Sequence, residues 1–506
     1  MQAVQANLDS LKYFCAEFSL VLGILAIILF DRLSQPERRK SLAAAVSLVT
    51  LGMALVAILW PRDGGSLPLF NGMLAFDPFA SFFKVFFVAV TGITVLFAMN
   101  SSEISERRVG EFHILLLSLT LGLFLLSSAR NLLMIYVAIE MVSLASYVLV
   151  GFKRRDRRSG EAALKYVIYG GAASGVMIYG MSLLYGLFGS LDLGAINQAW
   201  QQMATSGSIP KPALVVSIFF ILAGLGYKIA SVPFHMWCPD AYEGAPTPVT
   251  AFLSVGPKAA GFAVLIRFFY TIFVSAESLE NGSNVLVILG DLPWPAIIGI
   301  ISVATMTLGN FSALNQTNVK RLLAYSSIAH AGYLLMGFTV VSMDGLRSIM
   351  LYLVIYLFMN LGAFLVVMAV RETTGGEEID DFRGLGSRAP FAAITMAIFL
   401  FSLTGLPPLA GFIGKFYIFA AVLQHGGYFY YLLALIGVIN SAISLYYYAR
   451  IARAMFLDKS PTTERLVVGR LTNGMLSLLA LPILALGIYW EPLRTAVVDS
   501  LVLLTG

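Results

Sequence analysis

The chain has 506 residues, of which 58% are hydrophobic and only 12% charged, with a net charge of +5. Soluble domains carry about 25% charged residues, so this composition excludes an ordinary globular protein and describes a polytopic membrane protein. The basic excess suits anchored cytoplasmic loops better than nucleic-acid binding, and the two cysteines, Cys15 and Cys238, supply no disulfide framework.

Apolar runs of about 18 residues or more fall near 14–30, 42–60, 79–99, 111–128, 130–151, 162–189, 212–237, 247–273, 292–312, 319–341, 346–370, 390–421, 427–456 and 471–490. They predict an all-α polytopic fold of about 14 transmembrane helices. The first run has no basic leader or small-residue cleavage site and reads as a retained helix. Only a tight turn from Ser127 to Asn131 separates the fourth run from the fifth. With the amino terminus outside, Arg32, Arg38, Arg107, Arg108, the KRRDRR run from Lys153 to Arg158, Lys320, Arg321, Arg371 and Arg450 all face the cytoplasm. The outer loops keep few basic residues, such as Arg62 and Lys211, together with Glu277, Glu280 and Asp291. This bias predicts an even number of spans with both termini outside.

Several features have plain structural readings. Gly170, Gly171 and Gly175 lie inside an apolar run and suit close helix packing, with no nucleotide fingerprint elsewhere. The polar segment from Thr373 to Arg388 reads as a cytoplasmic connection. Lys84 and Arg267 read as snorkelling anchors. His235 and Cys238 offer two potential metal ligands and no third, so no metal site is expected.

The stretch from Leu222 to Gly261 differs from the other apolar segments. It places Lys228, His235 and Lys258 in or beside membrane runs and interrupts them with Pro233, Pro239, Pro246, Pro248 and Pro257. Intramembrane charge costs roughly 2.5 to 3.5 kcal/mol on insertion scales and usually marks an ion or proton path. Irregular backbone at that depth survives only where protein or a wet cavity satisfies it. The combination predicts a broken helix around buried charge.

The halves of the chain also repeat. LASYVLVGF around Tyr147 returns as HAGYLLMGF around Tyr333, and LAGL at Leu222 returns as LTGL at Leu403. Two five-helix units follow, 111–275 and 290–457, after three amino-terminal helices within 1–110 and before a last helix within 458–506. An odd helix count inverts the second unit relative to the first. Each unit has its broken helix at the same position, helices 7 and 12 of the chain, the second at Pro407 and Pro408.

At a rise of about 1.5 Å per residue, Glu140 lies roughly 16 Å from the inner end of its helix and Lys228 roughly 13 Å above Trp237. Lys258, His330 and Lys415 fall near about 15 Å by the same rule. Against a hydrocarbon core of about 30 Å, all five sit near the midplane, with Lys165 shallower. Desolvation disfavours an ammonium and a nearby carboxylate favours it, so a moving Glu can switch a buried Lys between holding and releasing a proton. Glu140 and Lys228 form the expected pair, with Lys165 as an alternative partner of the glutamate. Lys258 is the expected central carrier and Lys415 its equivalent in the second unit, while His235, His330 and water bridge the gaps. No nucleophile, metal or redox site is visible, so the driving energy comes from an ion gradient or a partner.

Three long motifs, MWCPDAYEGAPTPVTAFLS from Met236, VKRLLAYSSIAHAGY from Val319 and SLTGLPPLAGFIGK from Ser402, resemble the antiporter-like subunits of respiratory complex I and of multisubunit Na+/H+ antiporters. SVGPKAAG around Lys258, GFKRRDRRSGEAALKY around Lys165 and a lysine at 415 resemble the quinone-reducing branch of that family. The chain ends soon after its last helix, unlike the distal subunit with its long lateral helix. The resemblance implies a proton-pumping module of a bacterial inner (plasma) membrane, with both termini periplasmic. Glu140, Lys228, Lys258 and Lys415 match the family's proton-path residues. It further implies that NADH, FMN, Fe-S clusters and quinone belong to partner subunits, with no cofactor expected on this chain. Its partners would be the bilayer and other membrane subunits, including sibling antiporter-like ones, and no nucleic acid. The rival function is a subunit of a Na+/H+ antiporter or a membrane-bound hydrogenase.

Overall fold

The computed structural model describes residues 2–33, 35–60, 66–206, 211–275, 286, 288, 293–460 and 465–501. Arg62, Glu277, Glu280 and Asp291, used above to orient the chain, lie outside them. Among the described residues every apolar run contains helix, and two of the runs are broken. The order is α1 Gln2–Leu11, α2 Cys15–Leu33, α3 Pro36–Leu59, a hairpin of β1 Leu67–Leu69 and β2 Leu74–Phe76, α4 Pro78–Asn100, α5 Val109–Ser128, α6 Leu132–Val150, α7 Arg157–Phe188, α8 Leu193–Ser206 and α9 Lys211–Ile229. Then come α10 Trp237–Gly244, α11 Thr247–Phe273, α12 Trp294–Leu314, α13 Val319–Phe338, α14 Met343–Thr374, α15 Leu385–Arg388, α16 Pro390–Thr404, α17 Ala410–His425, α18 Tyr428–Phe456, α19 Arg470–Ile488 and α20 Glu491–Ser500. Among the described residues, 11 helices are long and apolar enough to cross a membrane, or 12 if α1 and α2, bent by 71°, count as one span.

Local chemistry sets the helix ends. Asp77 caps α4 by accepting from the Ala80 amide, with Pro78 in the first turn. Asn131, Asn318 and Ser342 cap α6, α13 and α14 in the same way. Gly405, at φ +91°, ends α16 in the left-handed conformation that a side chain resists.

The molecule is built around α11, all of whose residues are buried, with α14 packed beside it. The peripheral helices turn Leu29, Val56, Ile168, Leu435 and Leu481 outward, as a lipid-facing surface requires. Lys84 and Arg267 are not snorkelling anchors. Arg267 forms a bidentate pair with Asp77 at 2.7 and 3.0 Å, and Lys84 pairs with Glu17 at 2.6 Å, all four side chains being buried. A charge this deep in the protein is held by an opposite charge because the headgroups are out of reach.

Both expected breaks are present. α9 stops at Ile229, where Ala230 takes φ +57°, and helix resumes only at Trp237. The 13 Å depth of Lys228, counted as helical rise from Trp237, therefore does not apply: the backbone between them is not helical. α16 and α17 are separated by residues 405–409. The peptide bonds Val232–Pro233 and Pro407–Pro408, one in each break, are cis. By contrast α11 continues as helix through Pro257.

Several elements have no counterpart in the hydropathy pattern, the hairpin and α8 among them. The hairpin turns on Phe70, Asn71 and Gly72, all with positive φ. α8 is too polar to register as a span, and its Asn197 donates to the Ile272 and Val274 carbonyls at the end of α11. The glycine packing holds only in part. A side chain at Gly170 would collide with Tyr147 and Tyr227, whereas Gly171 and Gly175 face open space.

Candidate functional site

The site forms where α6, α9, α11, α13, α14, α17 and α18 meet. At one end Glu140 on α6 is partly exposed, and its carboxylate accepts a hydrogen bond from Ser174 of α7. One turn further along α6, Ser143 accepts from the Lys228 ammonium at 2.9 Å and donates onward to the Ile139 carbonyl. The expected Glu140–Lys228 pair is thus not a contact pair. The two charges act through space, and the serine hydroxyl binds the lysine.

Lys165 does not serve as the alternative partner of Glu140. Its ammonium pairs with Asp240 and Glu161, each at 2.8 Å, and Asp240 also binds Arg321 at 2.6 Å. This network ties the start of α7 to α10 and α13. A lysine beyond the first turn of α7 reaches the nearest carboxylate, and α10 presents one because the break in α9 redirects the chain.

Gly261 brings Lys228 close to the helix that bears Lys258. A Cβ there would lie 2.5 Å from Ile229 Cγ2 and 3.7 Å from Lys228 Cβ, so α9 and α11 touch only because the position is glycine. Three residues earlier on α11, the buried Lys258 ammonium donates to Ser327 of α13. The same Ser327 hydroxyl accepts from Tyr356 of α14 at 2.9 Å.

His330 lies beyond, one turn along α13. Its Nδ1 is 2.6 Å from the Tyr352 hydroxyl and its Nε2 3.4 Å from the Tyr448 hydroxyl, with the Tyr356 ring 5.2 Å away between centroids. Both Lys258 and Lys415 are within electrostatic reach of this imidazole. Lys415 sits 4.5 Å above the Tyr333 ring and donates to the Thr404 carbonyl at 2.8 Å and the Ser441 hydroxyl at 2.9 Å. The Thr404 carbonyl has no helical partner because α16 ends there, and it also accepts from the Ser441 hydroxyl at 3.0 Å. The break in the twelfth apolar run therefore supplies an acceptor for the ammonium.

His235 is buried in the first break with its Nδ1 unpaired, and no hydrogen bond joins it to Lys228 or Lys258 among the described residues. The structure brings Lys258, His330 and Lys415 into one cluster, sets Lys228 and Glu140 at its edge, and leaves Lys165 outside it. Sequence reading missed the neutral members: Ser143, Ser327, Tyr352, Tyr356, Tyr448, Tyr333 and Ser441. Tyr352 and Tyr356 repeat at i, i+4 on a membrane helix, a signal that one face of α14 is polar. The serines carry no such signal, since Ser in membrane helices commonly bonds its own backbone.

Apart from this row, Glu103 is a buried carboxylate in the loop after α4. It accepts from the Thr247 amide at the start of α11 and pairs with Arg371 and with Lys153, the latter at 3.3 Å. Burial alone would raise its pKa, but Lys320, Arg371 and Lys153 hold it below the usual carboxylate value. Lys320 completes the cluster, donating to the Ala245 carbonyl just before α11.

Comparison with known proteins places this arrangement. Residues 129–444 match the family model described as NADH:quinone oxidoreductase/Mrp antiporter, TM. The chain is 51% identical to NADH-quinone oxidoreductase subunit N of Anaeromyxobacter sp. (strain Fw109-5), over 99% of each chain. A chain of respiratory complex I from Thermus thermophilus superposes with a TM-score of 0.75 at 29% identity, covering 95% of this chain and 99% of that one. A chain of the Mrp complex from Dietzia sp. DQ12-45-1b shares the fold, with a TM-score of 0.80 at 20% identity over 97% of each.

Proposed function

The chain belongs to the NADH:quinone oxidoreductase/Mrp antiporter transmembrane family, and from that premise we propose that it is the antiporter-like, proton-translocating membrane subunit corresponding to subunit N of an NADH:quinone oxidoreductase. The observation that carries this reading is the buried row of Lys228, Lys258 and Lys415, hydrogen-bonded to neutral hydroxyls and carbonyls and not to carboxylates, with the His330 imidazole bonded to tyrosine hydroxyls beside it. Static ion pairs hold Lys84 and Arg267 elsewhere in the same membrane region, so the row is built differently from the structural charges.

The chemistry follows from these partners. A hydroxyl accepts a proton on one lone pair while giving up its own, so Ser327, Tyr356, Tyr352 and Tyr448 can pass a proton without carrying net charge. A proton leaving Lys258 Nζ goes to the Ser327 hydroxyl as that hydroxyl gives its own proton to the Tyr356 oxygen, once Tyr356 turns from donor to acceptor and passes its own proton on, and the imidazole of His330 takes up and returns protons between Lys258 and Lys415. Glu140 favours the ammonium of Lys228 when near it and releases it when displaced. Lys165 anchors α7 to α10, and His235 stands beside the row in the first break.

Quinone reduction on partner subunits drives the movement, and NADH, FMN, Fe-S clusters and quinone reside there. The partners are membrane subunits of one complex, siblings of this fold among them. We read the fold as fourteen crossings of a bacterial inner membrane with both termini periplasmic and two inverted five-helix units. Support comes from the paired breaks and from the basic residues gathered at one set of helix ends. Deleting the chain and following NADH-driven acidification in inverted membranes tests the function. Loss of acidification is expected. Preserved acidification with lost Na+ tolerance would assign the chain to a Na+/H+ antiporter.

A further inference from the structure

At the cytoplasmic ends of α5, α6 and α7 lies an open groove of about 940 Å³ lined by six basic side chains, Arg107, Arg108, Lys153, Arg154, Arg155 and Arg157, against two acids, Glu103 and Asp156. The acids are already committed: Lys153 pairs with both, at 3.3 Å each. Arg108 donates to the Phe152 carbonyl at 3.1 Å and covers the Phe152 ring. Among the described residues, Arg107, Arg154, Arg155 and Arg157 form no ion pair, and all four are exposed. Four guanidiniums lining one groove and held in no ion pair, with Glu161 the carboxylate within electrostatic reach of Arg157, form an anion site, since guanidinium matches phosphate geometry through paired N–H donors.

The surface below the groove identifies the anion's source. Val148 on α6 and Leu164 and Ile168 on α7 are 55%, 61% and 60% exposed, within about two to three turns of the arginines. An apolar face beneath a basic rim fits a molecule with a phosphate above and hydrocarbon below, whereas a free phosphate would use the rim alone. We infer that this groove binds the phosphate headgroup of an anionic phospholipid, with its acyl chains along the exposed faces of α6 and α7.

The test uses the assembled complex, stripped of lipid and titrated with phosphatidylglycerol, with phosphatidylcholine of equal chain length, and with inorganic phosphate. Bound lipid is counted by native mass spectrometry. In the variant R154Q/R155Q/R157Q, one tight phosphatidylglycerol site should weaken roughly a hundredfold, three factors of about five. R154K/R155K/R157K, which keeps the charges and loses the paired donors, should bind phosphatidylglycerol more weakly than wild type and more tightly than the Gln variant, and phosphatidylcholine should not distinguish the proteins. Equal phosphatidylglycerol binding by wild type and the Gln variant would overturn the inference. So would displacement of the lipid by inorganic phosphate at equal concentration, which would make the site one for free anion. Loss of a partner subunit with lipid binding unchanged would likewise overturn it, in favour of a protein contact. A photoreactive phosphatidylglycerol on the wild-type complex needs no variant: labelling should fall within 148–168, and its absence there would also overturn the inference.

Discussion

The Lys258 ammonium ends between the hydroxyl and the carbonyl oxygen of Ser327, 2.5 Å from each. Both acceptors are neutral, and the hydroxyl is shared with Tyr356. Ser327 thus links Lys258 to Tyr356 of α14. In S327A the carbonyl remains and the exchangeable hydroxyl goes. Proton translocation per quinone reduced should fall, with coupled turnover slowed roughly a hundredfold, at the lower edge of what positioned proton transfer contributes. The check is proton release from proteoliposomes alongside assembly of the complex.

Tyr352 and His330 offer a second cut. Y352F removes the hydroxyl at His330 Nδ1 and leaves a buried ring nitrogen unpaired, costing about 1–3 kcal/mol locally. The variant should assemble, lose a few degrees of thermal stability and translocate protons more slowly. Y356F, which leaves the imidazole nitrogens paired, should alter translocation with less effect on stability.

Much of this was legible from the chain. Lysines in apolar runs are costly enough to be noticed, so Lys228, Lys258 and Lys415 stood out before any geometry was known. The breaks at Pro233 and Pro407 were legible for the same reason: proline in a membrane helix removes a donor. What the sequence hid was partnership. Glu140 and Lys228 invited pairing by charge alone, yet Ser143 lies one turn from Glu140 on the same helix and takes the lysine. Arg267 looked like an anchor because Asp77 lies 190 residues away in sequence, a separation over which charge pattern is uninformative.

That buried pair gives a contrasting prediction. D77N leaves the Arg267 guanidinium without its counter-charge and should destabilise the protein by about 3–5 kcal/mol, lowering the amount of complex assembled. Complex that does assemble should pump with unchanged stoichiometry, because neither residue belongs to the lysine row. Thermal unfolding and pumping measured on one preparation separate the two effects.

Glu103 should respond to pH. Lys320, Arg371 and Lys153 overcome its burial and hold its folded pKa below the unfolded value, so its stabilising contribution is complete above about pH 4.3 and is lost only as pH falls through the lower folded value. Thermal stability should therefore stay level from neutral pH down to about pH 5 as far as this group is concerned. E103Q removes the counter-charge of a buried cluster, while its amide oxygen can still accept from the Thr247 amide. It should cost about 3–5 kcal/mol at neutral pH and flatten part of the acid limb, read from melting curves across pH.

Proton translocation by the assembled complex carrying K258A, measured in proteoliposomes against quinone reduced, tests the central claim most directly. The account predicts an intact complex that still contains every subunit and moves fewer protons for each quinone reduced. Unchanged stoichiometry and rate in an intact K258A complex would contradict it.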